Sequence, residues 1–191
     1  MIYETILTSI DARNNPHIAP FGIRERNGLI VIAPFRPSIS LDNLLLSRTA
    51  VINLTDDVRV FAGALTGRTR WPLRKADKVN GYVLETVLAH RELELVEVEE
   101  DMVRPQLYFR VVHEVVHAPF RGFNRAQAAV IELAVLVSRL HRLPMEKIDA
   151  ELAYLMIAIE KTAGERELEA WNWLIEKIEN HKAALSGNNL A

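Results

Sequence analysis

The chain has 191 residues, of which 49% are hydrophobic, and its 23 basic and 25 acidic side chains leave a formal net charge of -2. This balance argues against the strongly basic surface that nucleic-acid binding needs, so we predict no nucleic-acid partner. The absence of cysteine excludes disulfides, thiolate nucleophiles and cysteine-ligated metals, and it fits a reducing compartment.

The N-terminal segment predicts strands separated by tight turns. It has no basic region leading an apolar run, and no apolar stretch is long enough to span a bilayer, so we expect a cytoplasmic protein without membrane contact. Residues 2–10 alternate apolar and polar side chains and predict a strand. Residues 17–25 and 29–33 flank Asn27-Gly28, a pair that accepts the positive φ angles of a two-residue turn, and predict a β-hairpin.

A short helix and three further strands are expected before residue 120. Residues 40–48 predict the helix, and residues 50–54 are rich in strand-forming side chains. Residues 58–90 give no clear pattern and stay unassigned. Residues 91–99 and 106–116 carry alternating, β-branched and aromatic side chains, which predicts two antiparallel strands that close a small barrel.

Beyond Phe120-Arg121-Gly122 the pattern changes from strand-like to helix-like. We therefore place a domain boundary there, with a β-barrel domain over residues 1–121 and a helical extension of about three helices over residues 122–191. The fold class predicted is α+β. The apolar stripes of these helices need a surface to cover, either the barrel or a second copy of the chain.

Local signals predict where these helices begin and end. Asn124, followed three residues later by Gln127, resembles a capping box before an apolar helical repeat. A second helix is expected from Pro144 to Gly164, with Gly164 as a left-handed cap, and a third begins at Glu165. The predicted apolar stripes contain Ala126, Val130, Leu133, Val137, Leu140, Ile148, Leu152, Leu155, Met156, Ile159, Leu168, Trp171, Leu174 and Ile178. Residues 186–191 are expected to form a frayed tail.

The segment His113-Glu114-Val115-Val116-His117 matches the zinc-hydrolase pattern H-E-x-x-H. That chemistry requires a helix, because only one helical turn lets both imidazoles reach one metal. The surrounding residues predict a strand, in which positions four apart are separated by about 13 Å. A zinc hydrolase, with Glu132 or His141 as third ligand, is therefore a distant alternative, and we predict no metal site.

Polar and aromatic residues in the first 57 positions indicate a flat, phosphorylated ligand. Arg36 and the hydroxyl groups of Ser38 and Ser40 precede or begin the short helix, where free N–H groups and a guanidinium suit a phosphate monoester. Residues 20–22 can bring backbone amides and an aromatic face to a heterocycle, and residues 53–55 can reach its polar edge. Each residue taken alone also fits a structural role in a turn, a core or a strand end.

The order of these motifs resembles the FMN-binding split-barrel superfamily, which includes flavin reductases and pyridoxamine-phosphate oxidases, and in particular a prokaryotic branch with a C-terminal helical extension. The resemblance rests on Tyr3-Glu4-Thr5, Ala19-Pro20-Phe21-Gly22, Arg36-Pro37-Ser38, Asn53-Leu54-Thr55-Asp56-Asp57 and Asn124-Arg125-Ala126. It implies a six-stranded antiparallel split β-barrel that forms a homodimer, with FMN at the subunit interface.

The resemblance also implies roles for individual residues. Arg36, Ser38 and Ser40 hold the FMN phosphate, and the remainder of the site is lined by Phe21, Gly22, Asn43, Asn53, Thr55 and Asp56. Because a flavin carries its own redox chemistry, no catalytic side chain is expected. The predicted function is an oxidoreductase of flavin-reductase type that uses NAD(P)H or another hydride donor. The alternative is a non-catalytic FMN carrier. The basic residues 68–75 form either a second phosphate-binding patch or a solvated loop.

Overall fold

A computed structural model describes residues 1–188, which divide into two compact units. The barrel unit consists of residues 1–56 and 70–120. The helical unit consists of residues 57–69 and the chain from residue 121 onward. The chain therefore leaves the barrel unit at residue 57, contributes residues 57–69 to the helical unit, and returns to the barrel unit at residue 70. This excursion lies inside the region that the sequence left unassigned, and no composition change marks it.

The barrel unit is built from strands and one short helix. Its elements are β1 (Tyr3–Ile10), β2 (Pro16–Arg26), β3 (Leu29–Ile32), α1 (Ile39–Ser47), β4 (Thr49–Leu54), β5 (Leu73–Lys75), β6 (Tyr82–Leu84), β7 (Ala89–Glu99) and β8 (Gln106–Val116). Within the described residues, six antiparallel strands close a barrel in the order β1-β2-β3-β8-β7-β4, and β5 pairs with β6 in a separate sheet. The predicted six-stranded barrel is confirmed.

The barrel interior is apolar because each strand turns alternate side chains inward. Its buried side chains are Leu7, Ile23, Ile30, Ile32, Leu41, Leu44, Ala50, Ile52, Leu93, Leu95, Leu107 and Phe109. The β2–β3 turn is the predicted Asn27-Gly28 pair, with φ angles of 52° and 77°. The β7–β8 register shifts between Glu92 and Leu93. Glu92 and Leu93 are both buried because neighbouring side chains on a strand point to opposite faces, and both faces of the sheet are covered here.

Helix α1 lies one residue earlier in the chain than the predicted range 40–48. The Ser38 hydroxyl accepts the N–H of Leu41 at 3.3 Å as the N-cap, and Arg48 ends the helix in a left-handed conformation with φ 56°. Leu41 and Leu44 are buried in the barrel core. The helix therefore differs by one residue at each end from the prediction. Arg36 and Ser38 lie just before its N-terminus, which is the positive end of the helix dipole.

The helical unit contains α2 (Arg59–Thr66), α3 (Arg125–Val137), α4 (Met145–Thr162) and α5 (Glu165–Asn188). Asn124 caps α3 as predicted, because its side-chain oxygen accepts the N–H groups of Ala126 and Gln127. The Gln127 half of the capping box is wrong, since its amide donates to Glu167 at 3.1 Å. The core of this unit comprises Val58, Ala62, Ala126, Ala129, Val130, Leu133, Ala134, Val137, Leu140, Ile148, Ile159, Ala170, Trp171, Leu174 and Ile178. No helix within residues 1–188 is long and apolar enough to cross a membrane.

Two expectations for the C-terminal helices are wrong. Gly164 is not a left-handed cap, since α4 ends at Ala163 in an extended conformation. The N–H of Gly164 instead donates to the Glu167 carboxylate at 3.0 Å, so Gly164 belongs to the start of α5. Leu168 is 45% exposed and not part of the core. Helix α5 continues through residues 186–188 of the expected frayed tail, and residues 189–191 lie outside the described residues.

Candidate functional site

The first group of predicted site residues lies at the N-terminus of α1. Ser40 is buried in the first helical turn, whereas the Arg36 side chain is 42% exposed. The backbone N–H of Arg36 donates to the carbonyl of Val103 at 2.8 Å. Its Nη2 lies 3.0 Å from Glu100 Oε2. An exposed ion pair of this kind contributes little stability, so Arg36 can exchange Glu100 for another anion at small cost.

A cavity of about 410 Å³ lies beside this group and is lined by Arg36, Glu100, Asp101 and Met102. Asp101 Oδ1 accepts the N–H groups of Arg104 at 2.6 Å and Val103 at 2.8 Å, which shapes the β7–β8 turn. These hydrogen bonds, that of Arg104 first, lower the pKa of Asp101, and the charge of Arg36 lowers it further. The turn that faces Arg36 is therefore held by an ionised carboxylate.

Exposed apolar side chains surround the same position. Phe35, Ile39, Met102 and Val103 are 59–92% exposed. We call these four residues the α1 patch. The Arg104 guanidinium lies 4.8 Å from the centre of the Phe35 ring and holds one side of the patch by a cation–π contact. Apolar groups gathered in this way on a surface mark a binding site for a ligand or another chain.

The second group of predicted site residues contains those expected to line the rest of the FMN site: Phe21, Gly22, Asn43, Asn53, Thr55 and Asp56. Asn53 is completely buried. Its amide nitrogen donates to the carbonyl of Ile6 at 3.2 Å and to the hydroxyl of Thr8. Its amide oxygen accepts the N–H of Leu84 at 2.9 Å. Asn53 therefore ties β4 to β1 and β6. Both ends of the Asn53 amide therefore already have protein partners. Direct contact of Asn53 with a flavin stays a prediction.

The remaining residues of this group lie on β2 and just after β4. Phe21 packs against the barrel core. Gly22 pairs with Glu4, and a Cβ atom on Gly22 would lie 2.8 Å from Cγ2 of the exposed Ile2, so a larger residue here would push the Ile2 side chain aside. The Thr55 hydroxyl donates to the carbonyl of Thr86 at 3.3 Å, and Asp56 is half-buried.

Strand β1 separates the predicted residues into two sets. Asn53 pairs with Ile6, and the Asn43 amide donates to the Ser9 hydroxyl at 3.1 Å. Ile6 and Ser9 are three residues apart on a strand, so their side chains point to opposite faces. Phe21 shares the inner face with Asn43. One chain therefore does not bring all nine predicted residues into one cavity.

The sequence also contains a basic segment at residues 68–75 and an H-E-x-x-H motif at residues 113–117. Segment 68–75 is divided between the units, with Arg68 in the helical unit at 2.8 Å from Glu176. The H-E-x-x-H motif lies on β8 as far as Val116, as predicted, and His117 follows the strand. Glu114 Oε1 accepts a hydrogen bond from Arg91 at 3.0 Å. The helical geometry that a zinc hydrolase requires is therefore not present in this motif.

Sequence reasoning missed a polar cluster on the outer face of β7. His90 and Glu92 are completely buried there. Burial by itself raises the pKa of a carboxyl group, yet the backbone N–H groups of residues 77–79 and the His90 ring lower the pKa of Glu92 below its ordinary value. Burial lowers the pKa of His90. The signal available in the sequence was the His-x-Glu spacing on β7 opposite His113 on β8.

Several solved structures have a similar fold. An FMN-bound DUF447 protein from Methanosarcina mazei has a TM-score of 0.80 at 19% identity, over 92% of this chain and 94% of that one. An NADH:FAD oxidoreductase from Streptomyces globisporus has a TM-score of 0.52 at 11% identity, over 60% and 75%. An FMN-binding protein from Thermus thermophilus has a TM-score of 0.50 at 16% identity, over 60% and 71%. These likenesses confirm, for the fold, the resemblance to the FMN-binding split-barrel superfamily.

Models of known protein families match most of the chain. A search of curated proteins finds no match. The model of the DUF447 N-terminal domain, described as a protein of unknown function, matches residues 3–118, and the model of the second DUF447 domain matches residues 124–176. The chain therefore belongs to the DUF447 family.

Proposed function

We propose that this protein binds FMN as a homodimer and acts as an oxidoreductase of flavin-reductase type. The observation that carries the proposal is the exposed Arg36 beside the capped N-terminus of α1, next to a cavity and the α1 patch, in a fold shared with an FMN-bound protein of the same family. The reductant proposed is NAD(P)H. A cytoplasmic location stays a prediction from the sequence.

The donors at α1 fit a phosphate monoester. Arg36 offers two parallel N–H groups, Ser38 and Ser40 offer hydroxyls, and the first turn of α1 offers backbone N–H groups together with the positive end of the helix dipole. Glu100 opposes an anion, but it is 72% exposed and free to rotate away. The residues present therefore fit the phosphate end of FMN.

The other residues of the proposed site orient the cofactor and exclude water. The α1 patch offers apolar contact to a flat ring system, and the Asn53 hydrogen bonds fix β4 against β1 and β6. FMN, when bound, supplies the hydride and electron chemistry, so the protein need not supply an acid or a base.

A second copy of the chain is proposed because one chain leaves the site divided. Phe21 on β2 and Asn43 on α1 lie on the inner side of the barrel wall, whereas Asn53 on β4 lies on the outer side. Residues from a partner chain can complete either half. The α1 patch, whose apolar side chains are exposed in a single chain, offers a surface for that contact.

The first test is a visible spectrum of protein that has been incubated with FMN and desalted, followed by anaerobic addition of NADH and then NADPH. We expect retained oxidised-flavin bands that bleach with one of the two reductants. Retained bands that resist both reductants would replace the reductase by a non-catalytic carrier. A colourless protein would overturn the proposal.

A matched pair of variants locates the phosphate site. Arg36 and Arg110 are both exposed and each pairs with one glutamate, at 3.0 Å and 2.9 Å. Arg36→Ala should weaken FMN binding by about tenfold to a hundredfold, as loss of a charge-assisted hydrogen bond of roughly 1.5–3 kcal/mol predicts. Arg110→Ala should leave it unchanged. Equal losses in both variants, or none in Arg36→Ala, would move the phosphate elsewhere.

Sedimentation equilibrium at micromolar concentration tests the dimer, and a monomer that still binds FMN would refute the interface site.

A further inference from the structure

Four metal-ligating side chains meet on the outer face of the barrel wall. Among the described residues, Asp77, His90, Glu92 and His113 each bring one ligand atom within 4.8 Å of the other three. We call these residues the outer-face cluster. His90 and Glu92 come from β7, His113 lies directly opposite Glu92 on β8, and Asp77 follows β5. Strand register and one loop therefore assemble the cluster from three parts of the barrel unit.

The spacing of the ligand atoms suits a four-coordinate metal ion. Bonds of about 2.1 Å at tetrahedral angles put neighbouring ligand atoms about 3.4 Å apart. His90 Nε2 lies 3.3 Å from Glu92 Oε1, and His113 Nε2 lies 3.6 Å from Asp77 Oδ2. Asp77 is 52% exposed on a loop, so it can make the small movement needed to bring the two pairs together.

The hydrogen bonds of His90 give a second, independent reason for a cation. Its Nδ1 lies 2.9 Å from His117 Nε2, and the same His117 atom lies 3.3 Å from Arg74 Nη2. If His90 Nε2 donates to Glu92, Nδ1 must accept from His117, and His117 then turns a donor toward the donor-only Arg74. The other arrangements either protonate both nitrogens of a completely buried imidazole, which is costly, or turn the Nε2 lone pair toward the Glu92 carboxylate, which repels it.

A metal ion on His90 Nε2 removes this conflict. The Nε2 lone pair then bonds the metal, Nδ1–H donates to His117 Nε2, and that acceptor also faces Arg74. Metal-bound histidines usually donate their second N–H in this way. Glu92 is held in place by the backbone N–H groups of Asp77, Lys78 and Val79 at 2.6–2.9 Å. The cluster is therefore already oriented by its surroundings.

We propose that the outer-face cluster binds one divalent transition-metal ion, with zinc as the ion that best fits two imidazoles and two carboxylates. Four protein ligands leave no open position, which is typical of structural sites. The ion joins the loop after β5 to β7 and β8. This site uses His113 but neither Glu114 nor His117 as a ligand, so it differs from the H-E-x-x-H zinc-hydrolase arrangement. It does not depend on the proposed FMN function.

The test is titration of zinc into protein that has been treated with EDTA and desalted, followed by calorimetry and thermal unfolding. We expect one equivalent per chain. We also expect a melting temperature higher by roughly 5 °C when free zinc exceeds its dissociation constant a hundredfold. Flavin-free and FMN-loaded protein should bind zinc equally. No binding, or several weak equivalents from surface histidines, would overturn the proposal.

Variants of the partly exposed ligands show which side chains bind. Asp77→Ala and His113→Ala should each weaken zinc binding by roughly a hundredfold, at least the loss seen for outer-shell partners of metals. Glu114→Ala is the matched control, since Glu114 neighbours His113 but pairs with Arg91, and it should change nothing. Circular dichroism of each variant confirms folding. Loss of binding in His113→Ala together with unchanged binding in Asp77→Ala would reject the cluster.

Discussion

At β4 and β7 both faces of the barrel wall are buried, but the outer face carries a buried polar network set among apolar side chains such as Val51. On the inner face, β4 and β7 contribute apolar side chains such as Ile52 and Leu93. On the outer face, the same strands contribute Asn53, His90 and Glu92, each with no exposed surface. Apolar burial on the inner face needs only volume and shape. Polar burial on the outer face needs a specific partner for every donor and acceptor.

This difference decides which sequence changes each face tolerates. The inner face should accept swaps that conserve volume, since no directional bond is lost. The outer face should reject even isosteric changes, because each one leaves a buried N–H or C=O group unpaired. Four predictions test this comparison, beginning with the largest expected effect.

Phe109→Ala should produce the largest loss of stability. Phe109 is completely buried on the inner face, and removing its ring should cost about 3–5 kcal/mol through lost apolar burial and the cavity left behind. Urea unfolding followed by circular dichroism measures the change. Phe109→Leu, which keeps most of the volume, is the control and should lose much less. Equal losses in the two variants would show that this face depends on specific contacts, like the outer face.

Asn53→Leu should cost roughly 1–3 kcal/mol although it conserves shape, because the buried N–H of Leu84 loses its acceptor. Ile52→Leu, at the next position of β4 but on the inner face, is the matched control and should lose less. Hydrogen exchange should be faster at Leu84 in Asn53→Leu alone. If the variant lost FMN binding while keeping full stability, Asn53 would be a cofactor ligand and not a brace.

The barrel strands and the start of α3 were predictable because their signals are local. Alternation along the strands predicted the barrel, and Asn124 predicted the start of α3. The outer face was not predictable, because the partners of Glu92 are backbone N–H groups of the loop at residues 77–79, which has no pattern of its own. Only the strand register brings that loop, β7 and β8 together.

The candidate site shows the same division. The residues at α1 are close in sequence, so their proximity followed from the helix start. The placement of Phe21 and Asn53 on opposite faces of the wall depends on pairing with β1 and could not be read from order alone. Gly164 was assigned wrongly for a related reason, since Glu167, three residues later, makes it the start of the next helix.

Ser38→Ala should have a smaller effect, about 1 kcal/mol, since one N–H of α1 loses its cap. Ser38→Gly is the control and should cost only a few tenths of a kcal/mol, because glycine leaves room for water at the helix end. Urea unfolding of both variants measures the difference. A proposed phosphate contact adds a second readout, since both variants remove the hydroxyl and should weaken FMN binding alike. If FMN binding followed stability and not the hydroxyl, Ser38 would act only as a cap.

The smallest expected effect is a pH dependence at the β7–β8 turn, an exposed counterpart to the buried network around Glu92. Because backbone N–H groups lower the pKa of Asp101, its ionised form stabilises the turn above the pKa of a free aspartate, about 3.9, and this contribution is lost as the pH falls through the lower folded value. Carbon NMR of the carboxyl group should give that lowered pKa, and the N–H groups of Val103 and Arg104 should exchange faster below it. Asp101→Asn keeps an acceptor oxygen but cannot titrate, so its exchange should lack this extra acid dependence. Since the charge of Arg36 also lowers the pKa of Asp101, Arg36→Ala should raise it slightly, and an unchanged value would show that Arg36 already points away from the turn.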